Sequence, residues 1–265
     1  MERPRCPQVG PGRLIAMDST RRRDPAGKRP PARVSAIVPA YNEEETLADV
    51  LTVLRTSELV DEIIVVSDGS DDRTAQVAKA LGARTIELKH NQGKGVAMAV
   101  GVINTRAPVL VFLDGDILNL SDYLLRQLIE PVTHGRCDMN IGIRSRGWLI
   151  DELHRRSGPL LSGIRCLRRE IFEAVPEDFL AGFRIEAALN WTCRHLGRRC
   201  GTTVFYQLRH RVKEKKLGLL QGSRSRFRMF RAVARAYFEL YWSPPALDRE
   251  PARNRVRTAL EYTEL

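Results

Sequence analysis

An apolar run from Val109 to Leu113 ends directly in Asp114, Gly115 and Asp116. A continuous apolar run of this length is typical of a strand buried on both faces of a parallel sheet. Ligands of open α/β sheets bind at the carboxyl ends of the strands. Two carboxylates at such an end suit Mg²⁺ or Mn²⁺ bound together with substrate phosphates, and Gly115 leaves room for a phosphate to approach. The same residues are also ordinary turn chemistry, in which an aspartate caps the next helix.

The N-terminal half alternates apolar strands with helices of apolar periodicity. Strands are predicted over residues 34–39, 62–67 and 83–88. Three helices are predicted between and after them: one begins at residue 47, one ends at about residue 81, and one covers about residues 96–104. Strands that alternate with helices favour a parallel, helix-covered sheet, so the predicted fold class is α/β with a Rossmann-like, mostly parallel sheet. Each polar loop follows a strand, so the loops can meet at one edge of the sheet.

The second half carries weaker signals. A turn at Pro176 precedes a helix that starts near Gly182, and residues 204–208 are predicted as a strand that leads into Arg209 and His210. From Gly222 to Trp242, aromatic residues recur at helical spacing with arginines between them, which predicts C-terminal acceptor-side helices. The domain boundaries follow: a tail over 1–32, a sheet domain over 33–220 and a helical extension over 221–265.

Charge and composition limit the classes of binding partner and the cellular compartment that the sequence suits. The 265-residue chain carries a formal charge of +11, which suits acidic partners such as nucleotide diphosphates, phosphorylated acceptors, anionic membranes or nucleic acid. Residues 1–32 mix Pro, Gly and Arg with little apolar content, which is typical of a disordered basic tail. No apolar run suits a signal peptide or a membrane span, and the five cysteines lack metal-site spacing. A cytoplasmic protein with reduced thiols is therefore expected.

Four segments carry a family resemblance: "VPAYNEEETL", "VVSDGSDDRT", "NQGKGVAM" and "VFLDGD". In this order they resemble the successive motifs of nucleotide-sugar glycosyltransferases of the GT-A fold, similar to family 2. The resemblance implies that the aspartate pair holds Mg²⁺ or Mn²⁺ on the diphosphate, while the first-strand loop and the second-strand aspartate hold the nucleoside of a UDP- or GDP-linked sugar. The implied nucleotide-sugar-binding residues are Pro39, Ala40, Tyr41, Glu43, Asp68, Lys94, Asp114 and Gly115.

The second half is similar to two branches of that superfamily. Ser162-Gly163, Glu186 and His210 match the glucosyl- and mannosyl-3-phosphoglycerate synthases, whereas the polyprenyl-phosphate sugar synthases share "SG" and a basic segment but have a serine before lysine that is absent here. Ser162 replaces a glycine of the first branch, and Val212 stands where a polar acceptor contact is expected. The match to the first branch implies catalytic Glu186 and Asp116, acceptor-binding Ser162, Gly163 and Arg209, and metal-binding Asp116 and His210.

The predicted function is metal-dependent transfer of a sugar to a small, phosphorylated acceptor, and the alternative is a polyprenyl-phosphate sugar synthase at the membrane surface. The aromatic, basic C-terminal helix leaves this open, because it suits packing on the sheet domain, a homodimer contact or an anionic membrane at its inner face. The glycine-rich start that is typical of sugar nucleotidyltransferases is absent from this sequence, which argues against that class of enzyme. No nucleic-acid partner is expected, since no RNA-binding aromatic motif is present.

Several candidate residues also have simpler structural interpretations. His210 could be a hydrogen-bonded surface group, Glu186 a first-turn glutamate that favours a helix dipole, and Lys94 a solvated lysine in a turn. Asp71 and Asp72 are better explained as residues at the start of a helix.

Overall fold

The computed structural model describes residues 33–145, 162–180, 184–206, 208–210 and 238–240. The elements within these ranges are, in chain order, β1 (Val34–Ala40), α1 (Leu47–Thr56), β2 (Glu62–Asp68), α2 (Thr74–Ala80), β3 (Arg84–Leu88), α3 (Lys94–Ile103), β4 (Val109–Phe112), β5 (Ile117–Leu118), α4 (Asp122–Thr133), β6 (Met139–Arg144), β7 (Arg165–Arg168), α5 (Arg169–Glu173), a 3₁₀ turn (Glu177–Phe179), α6 (Arg184–His195), β8 (Cys200–Phe205) and β9 (Arg209–His210).

A mixed seven-stranded sheet has the order β3-β2-β1-β4-β7-β6-β8. Strands β1 to β4 pair in parallel, β7 is antiparallel to both β4 and β6, and β8 is parallel to β6. This confirms the predicted mostly parallel α/β sheet. The carboxyl ends of β1, β2 and β4 meet at one edge, where β5 and β9 form a separate antiparallel pair.

The strand β4 is buried on both faces, as its apolar run predicts. Leu110 and Phe112 join one buried cluster with α3 and α6, while Val109 and Val111 join the other with α1 and α4. Side chains alternate across a strand, so a strand covered by helices on both sides needs apolar residues at every position. Phe112 also stacks on Phe172 of α5, with ring centroids 5.4 Å apart.

Two predicted element boundaries are wrong. The late strand covers Cys200–Phe205 instead of residues 204–208, because parallel pairing with β6 fixes its register from residue 200 onward. Its polar residues, Thr202 and Thr203, give no apolar run that sequence analysis could recognise. The helix α3 begins at Lys94 instead of near residue 96, since Gly93 with φ 93° ends the preceding loop.

Several predictions fall outside the described residues. They are the tail over 1–32, the predicted helix start at Gly182, the side chains of Arg209 and His210, and the helical extension over 221–265 apart from residues 238–240. Within that short stretch, Leu240 is fully buried in the cluster of α3 and α6, and Glu239 forms an ion pair with Arg184 at the start of α6. Among the described residues, no helix combines the length and apolar character needed to cross a bilayer.

Asp138 joins three neighbouring strands at the edge opposite the polar loops. Its carboxylate accepts a 2.9 Å hydrogen bond from the Arg199 N–H and lies 3.2 Å from Nε of Arg168. Burial alone raises the pKa of Asp138, but the Arg199 N–H and the charges of Arg199 and Arg168 outweigh it. The pKa of Asp138 therefore lies below its ordinary value.

We expect Asp138→Asn to lower the free energy of unfolding at pH 7 by about 1.5–3 kcal/mol, the range for hydrogen bonds to charged groups. A lowered carboxyl pKa stabilises the fold above the unfolded-state pKa, and this contribution is lost as the pH falls through the folded-state pKa. The difference from wild type, measured by urea unfolding, should therefore shrink below about pH 4. Asp122→Asn, which removes a surface ion pair with Arg126, is the control and should cost under about 1 kcal/mol. A difference for Asp138→Asn that stays constant with pH would contradict this account.

Candidate active site

The loops after β1 and β2 are joined by hydrogen bonds between side chains and backbone. The Asn42 N–H donates to Ser70 Oγ at 3.2 Å, and the Asp71 N–H donates to Asn42 Oδ1 at 2.9 Å. The Glu43 N–H donates to Thr74 Oγ1 at 2.8 Å. Asn42 adopts φ 53°, a left-handed conformation that asparagine tolerates better than most residues. These bonds fix the backbone of the two loops at the edge of the sheet, although the loops have no regular secondary structure.

Asp72 lies two residues before α2 and binds the first N–H of the helix, so it is a residue of the helix N-terminus as the sequence predicts. Its carboxylate accepts from the Thr74 N–H at 2.9 Å and from the Thr74 hydroxyl, and its other oxygen accepts from the Glu44 N–H at 3.2 Å. Burial raises the pKa of Asp72, but these hydrogen bonds lower it more, so the pKa lies below its ordinary value. Asp72 thus links the two loops as well as the helix start.

Asp68, at the end of β2, is nearly fully buried. Its two oxygens accept from the N–H groups of Gln92 at 2.7 Å and Gly93 at 2.9 Å, which fixes the loop that precedes α3. An ionised carboxylate has about four lone-pair sites, so these bonds leave acceptor capacity for a bound hydroxyl. Its predicted contact with a nucleoside is therefore compatible with the structural contacts.

The end of β1 and the segment after β4 lie side by side. Pro39 and Ala40 are buried, whereas Tyr41 is 41% exposed at the rim. The Thr46 hydroxyl donates to the Gly115 carbonyl at 2.8 Å. A Cβ on Gly115 would collide with Glu43 Oε2. The Glu43 carboxylate therefore occupies the space beside Gly115. The approach of a phosphate at this glycine stays a prediction.

Lys94 lies between two carboxylates that come from distant parts of the chain. Its Nζ is 2.6 Å from Asp114 Oδ1 and 3.0 Å from Glu186 Oε1. The side chains of Lys94 and Glu186 are only 20% and 11% exposed. Burial lowers the pKa of Lys94, but the charges of Asp114 and Glu186 outweigh it and raise the pKa above its ordinary value. The interpretation of Lys94 as a solvated turn residue is therefore wrong, and the cluster carries a net negative charge.

Gly163 lies against this cluster. A Cβ there would collide with Lys94 Nζ and stand 2.5–2.6 Å from the Asp114 oxygens. The Ser162 hydroxyl donates to the Gly142 carbonyl at 2.5 Å, which holds the loop against β6. Ser162, Gly163, Lys94, Asp114 and Glu186 thus meet at one place, as their predicted roles require.

The β5–β9 pair brings the backbone at His210 next to the segment that follows Asp116. Ile117 lies opposite His210 and Leu118 opposite Arg209, so the backbone of His210 is next to the residue that follows Asp116. The described side chains contain no complete group of three metal-ligating residues. The side chain of His210 lies outside the described residues, so the roles of Asp116 and His210 as metal ligands stay predictions.

The family model for glycosyl transferase family 2 matches residues 35–184, which is more than half of the chain. The chain belongs to glycosyl transferase family 2. The match covers β1 to β7 and the first residue of α6, and therefore every polar loop described above.

Two curated relatives represent different acceptor classes. The chain is 29% identical over 195 residues to a glucosyl-3-phosphoglycerate synthase of Mycolicibacterium paratuberculosis, covering 59% of this chain and 58% of the relative. It is 41% identical over 103 residues to a dolichyl-phosphate beta-glucosyltransferase of Drosophila melanogaster, covering 33% of this chain and 32% of the relative. The alignments thus span less than two thirds of these relatives' own lengths.

The fold is also similar to solved structures. Glucosyl-3-phosphoglycerate synthase of Mycobacterium tuberculosis, solved with Mn²⁺, uridine diphosphate and glucosyl-3-phosphoglycerate, matches with a TM-score of 0.64 and 26% identity over 78% of this chain and 79% of that one. The same protein was solved with Mg²⁺ and uridine diphosphate, and it matches with a TM-score of 0.64 and 25% identity over 78% and 79% of the two chains.

The close approach of Gly163 to Lys94 predicts energetic coupling between them. We expect Gly163→Ala to lower the free energy of unfolding by about 1–3 kcal/mol through overpacking. The cost should be smaller in a Lys94→Ala background, with a coupling of about 0.5–3 kcal/mol in a double-mutant cycle followed by urea unfolding.

Gly201→Ala provides the matched control, because its Cβ would crowd Cys137 Sγ at 3.1 Å at the opposite end of the sheet. Its cost should add to that of Lys94→Ala without coupling, since the sites share no contacts. Additive behaviour of Gly163→Ala and Lys94→Ala would contradict the described approach.

Proposed function

We propose that the protein transfers a sugar from a UDP- or GDP-linked donor to a small, phosphorylated acceptor, in a reaction that depends on Mg²⁺ or Mn²⁺. The observation that carries this proposal is the convergence of Lys94, Asp114 and Glu186 on Gly163, beside Asp116. These residues come from four separate segments of the chain and meet at the edge where ligands of α/β sheets bind. The similarity in fold to a synthase solved with Mn²⁺, a nucleotide and a glycosylated product supports it.

A divalent cation fits the chemistry of these residues. The carboxylates of Asp114 and Glu186 carry two negative charges against the one positive charge of the Lys94 ammonium that they share. The Glu43 carboxylate lies against Gly115. Asp116 and His210 supply the oxygen and nitrogen donors that Mn²⁺ and Mg²⁺ accept. When bound, the ion would neutralise the charge that develops on the leaving nucleoside diphosphate.

The loops around β1 and β2 would hold the donor's nucleoside. Pro39, Ala40 and Tyr41 form the end of β1, and the exposed Tyr41 ring offers a face on which a base can stack. Asp68 can accept from a ribose hydroxyl while it fixes the loop of Gly93. Asp114 and Lys94 lie where the sugar and diphosphate would follow.

The acceptor would enter from the side of Ser162, Gly163 and Arg209. Glu186 is a buried carboxylate whose Oε1 is held by Lys94, so it can orient a hydroxyl of the sugar or of the acceptor by accepting its proton in a hydrogen bond. The Lys94 ammonium stays protonated at neutral pH, which suits it to share the negative charge of the leaving diphosphate. The formal charge of +11 favours an anionic acceptor.

The alternative acceptor is a polyprenyl phosphate. The 41% identity to a dolichyl-phosphate beta-glucosyltransferase favours it as a second candidate. Both acceptors present a phosphate group, so the described site residues suit either one. The aromatic, basic segment over residues 222–242 that could contact a membrane lies almost entirely outside the described residues.

We expect Asp116→Asn to lower kcat/KM for sugar transfer by about 100-fold or more, the scale on which one preorganised electrostatic contact acts. Isothermal titration of uridine diphosphate in the presence of Mn²⁺ should show weakened binding, whereas the urea midpoint should stay close to that of wild type. Asp122→Asn, on the surface of α4, serves as the control and should keep full activity. Wild-type transfer by Asp116→Asn in the presence of a chelator would contradict the proposal.

The acceptor can be assigned with one set of assays. Purified protein with Mn²⁺ and UDP-glucose or GDP-mannose is given 3-phosphoglycerate, glycerol 3-phosphate, or polyprenyl phosphate in anionic liposomes. We expect transfer to a soluble phosphorylated acceptor and no salt-sensitive co-flotation with the liposomes. Transfer to polyprenyl phosphate together with co-flotation that salt abolishes would establish the alternative.

A further inference from the structure

Arg165 is the first residue of β7, and its side chain is fully buried. It lies opposite Phe112 of β4 and Ile141 of β6, at the end of the sheet that carries the site. Burial of a guanidinium is costly unless hydrogen bonds compensate it. Sequence analysis did not single out this residue, although an arginine in a strand next to apolar neighbours is a signal that could have found it.

The Arg165 guanidinium bridges the two elements that carry the acceptor side. Its Nε and Nη2 donate to the Ser162 carbonyl at 3.0 and 2.5 Å. Its Nη1 donates to the Glu186 carbonyl at 3.5 Å and to Asn190 Oδ1 at 3.3 Å. One planar group therefore sets the distance between the loop before β7 and the first turns of α6.

This bridge also orients the peptide between Ser162 and Gly163. In a trans peptide the carbonyl and the N–H point in opposite directions, so the Gly163 N–H points away from Arg165. No acceptor for that N–H is found among the described residues. The bonds from Arg165 thus fix the orientation of this peptide while the Gly163 Cα lies against Lys94 and Asp114.

We propose that Arg165 is a positioning residue that fixes Ser162–Gly163 and Glu186 relative to each other around Lys94. It acts through these groups and does not touch the substrate. The inference rests on the proposed glycosyl transfer for its effect on activity. A lysine cannot replace it fully, because an ammonium lacks the planar fork that spans the Ser162 carbonyl and the Glu186 carbonyl together.

Arg169 provides a matched control within the same segment. Its guanidinium binds three backbone carbonyls, those of Ala107, Val102 and Thr105, at 2.8, 3.1 and 2.9 Å, where that of Arg165 binds two. Its side chain is 15% exposed, and it lies at the opposite end of β4, beyond Val109. A purely structural role would make the two arginines equivalent.

The test compares Arg165→Met, Arg165→Lys and Arg169→Met. For Arg165→Met we expect kcat/KM for the acceptor to fall about 10- to 100-fold, as a misplacement near 1 Å would produce. The dissociation constant for uridine diphosphate with Mn²⁺ should stay unchanged, because the Arg165 bonds described above go to Ser162, Glu186 and Asn190, outside the β1 and β2 loops. Arg165→Lys should recover part of the loss. Arg169→Met should lower the urea midpoint while leaving kcat/KM close to wild type.

Amide hydrogen exchange separates this inference from the proposed function. Arg165→Met should speed exchange at Ile164, whose N–H donates to Ser162 Oγ at 3.3 Å, and Arg169→Met should not. If Arg165→Met fails to fold, Arg165→Lys takes its place in every comparison. Exchange at Ile164 that matches wild type, or equal loss of kcat/KM in both methionine variants, would overturn the positioning role. If wild type shows no nucleotide-sugar turnover, the proposed function fails, and the exchange comparison alone decides the role of Arg165.

Discussion

The Lys94 ammonium, held between Asp114 and Glu186, is the interaction on which the arrangement of the site depends. Each carboxylate belongs to a different element, one directly after β4 and the other in α6. In a partly buried place, ion pairs are screened less by salt and solvent than on the surface. Because the ammonium satisfies both carboxylates, two elements far apart in sequence can place negative charge at one point. Gly163 can approach the cluster only because it lacks a Cβ.

The surroundings of this cluster are fixed mainly by side chains that bind backbone groups. Asp68 fixes the loop that leads into Lys94, Thr46 ties the first loop to Gly115, and Arg165 holds the Ser162 carbonyl. Irregular loops have few backbone partners of their own, so side chains must satisfy their polar groups. Such bonds preorganise a site before any ligand binds, which lowers the cost of orienting the reacting groups.

The fold was largely predictable from the sequence, because strand β4 and the alternation of strands with helices are local patterns. The order of the polar loops likewise predicted that Asp68, Asp114 and Lys94 would lie at one edge. The contacts within the site were not predictable, since the Lys94–Glu186 bond joins residues 92 positions apart. The polar strand β8 and the buried Arg165 were missed for a related reason. Their burial is decided by the strands and helices that pack on them, and no periodic pattern in the chain records it.

The pairing of β5 with β9 joins the two segments of the chain that would hold the metal ion of the proposed donor site. It places the backbone of His210 beside the residue after Asp116, although positions 116 and 210 are 94 apart in the sequence. The most direct test is an anomalous-scattering map from crystals grown with Mn²⁺ and uridine diphosphate. The account predicts an ion within about 2.0–2.5 Å of both an Asp116 oxygen and a His210 nitrogen. An ion bound elsewhere, or a His210 ring more than about 3 Å from it, would contradict the account.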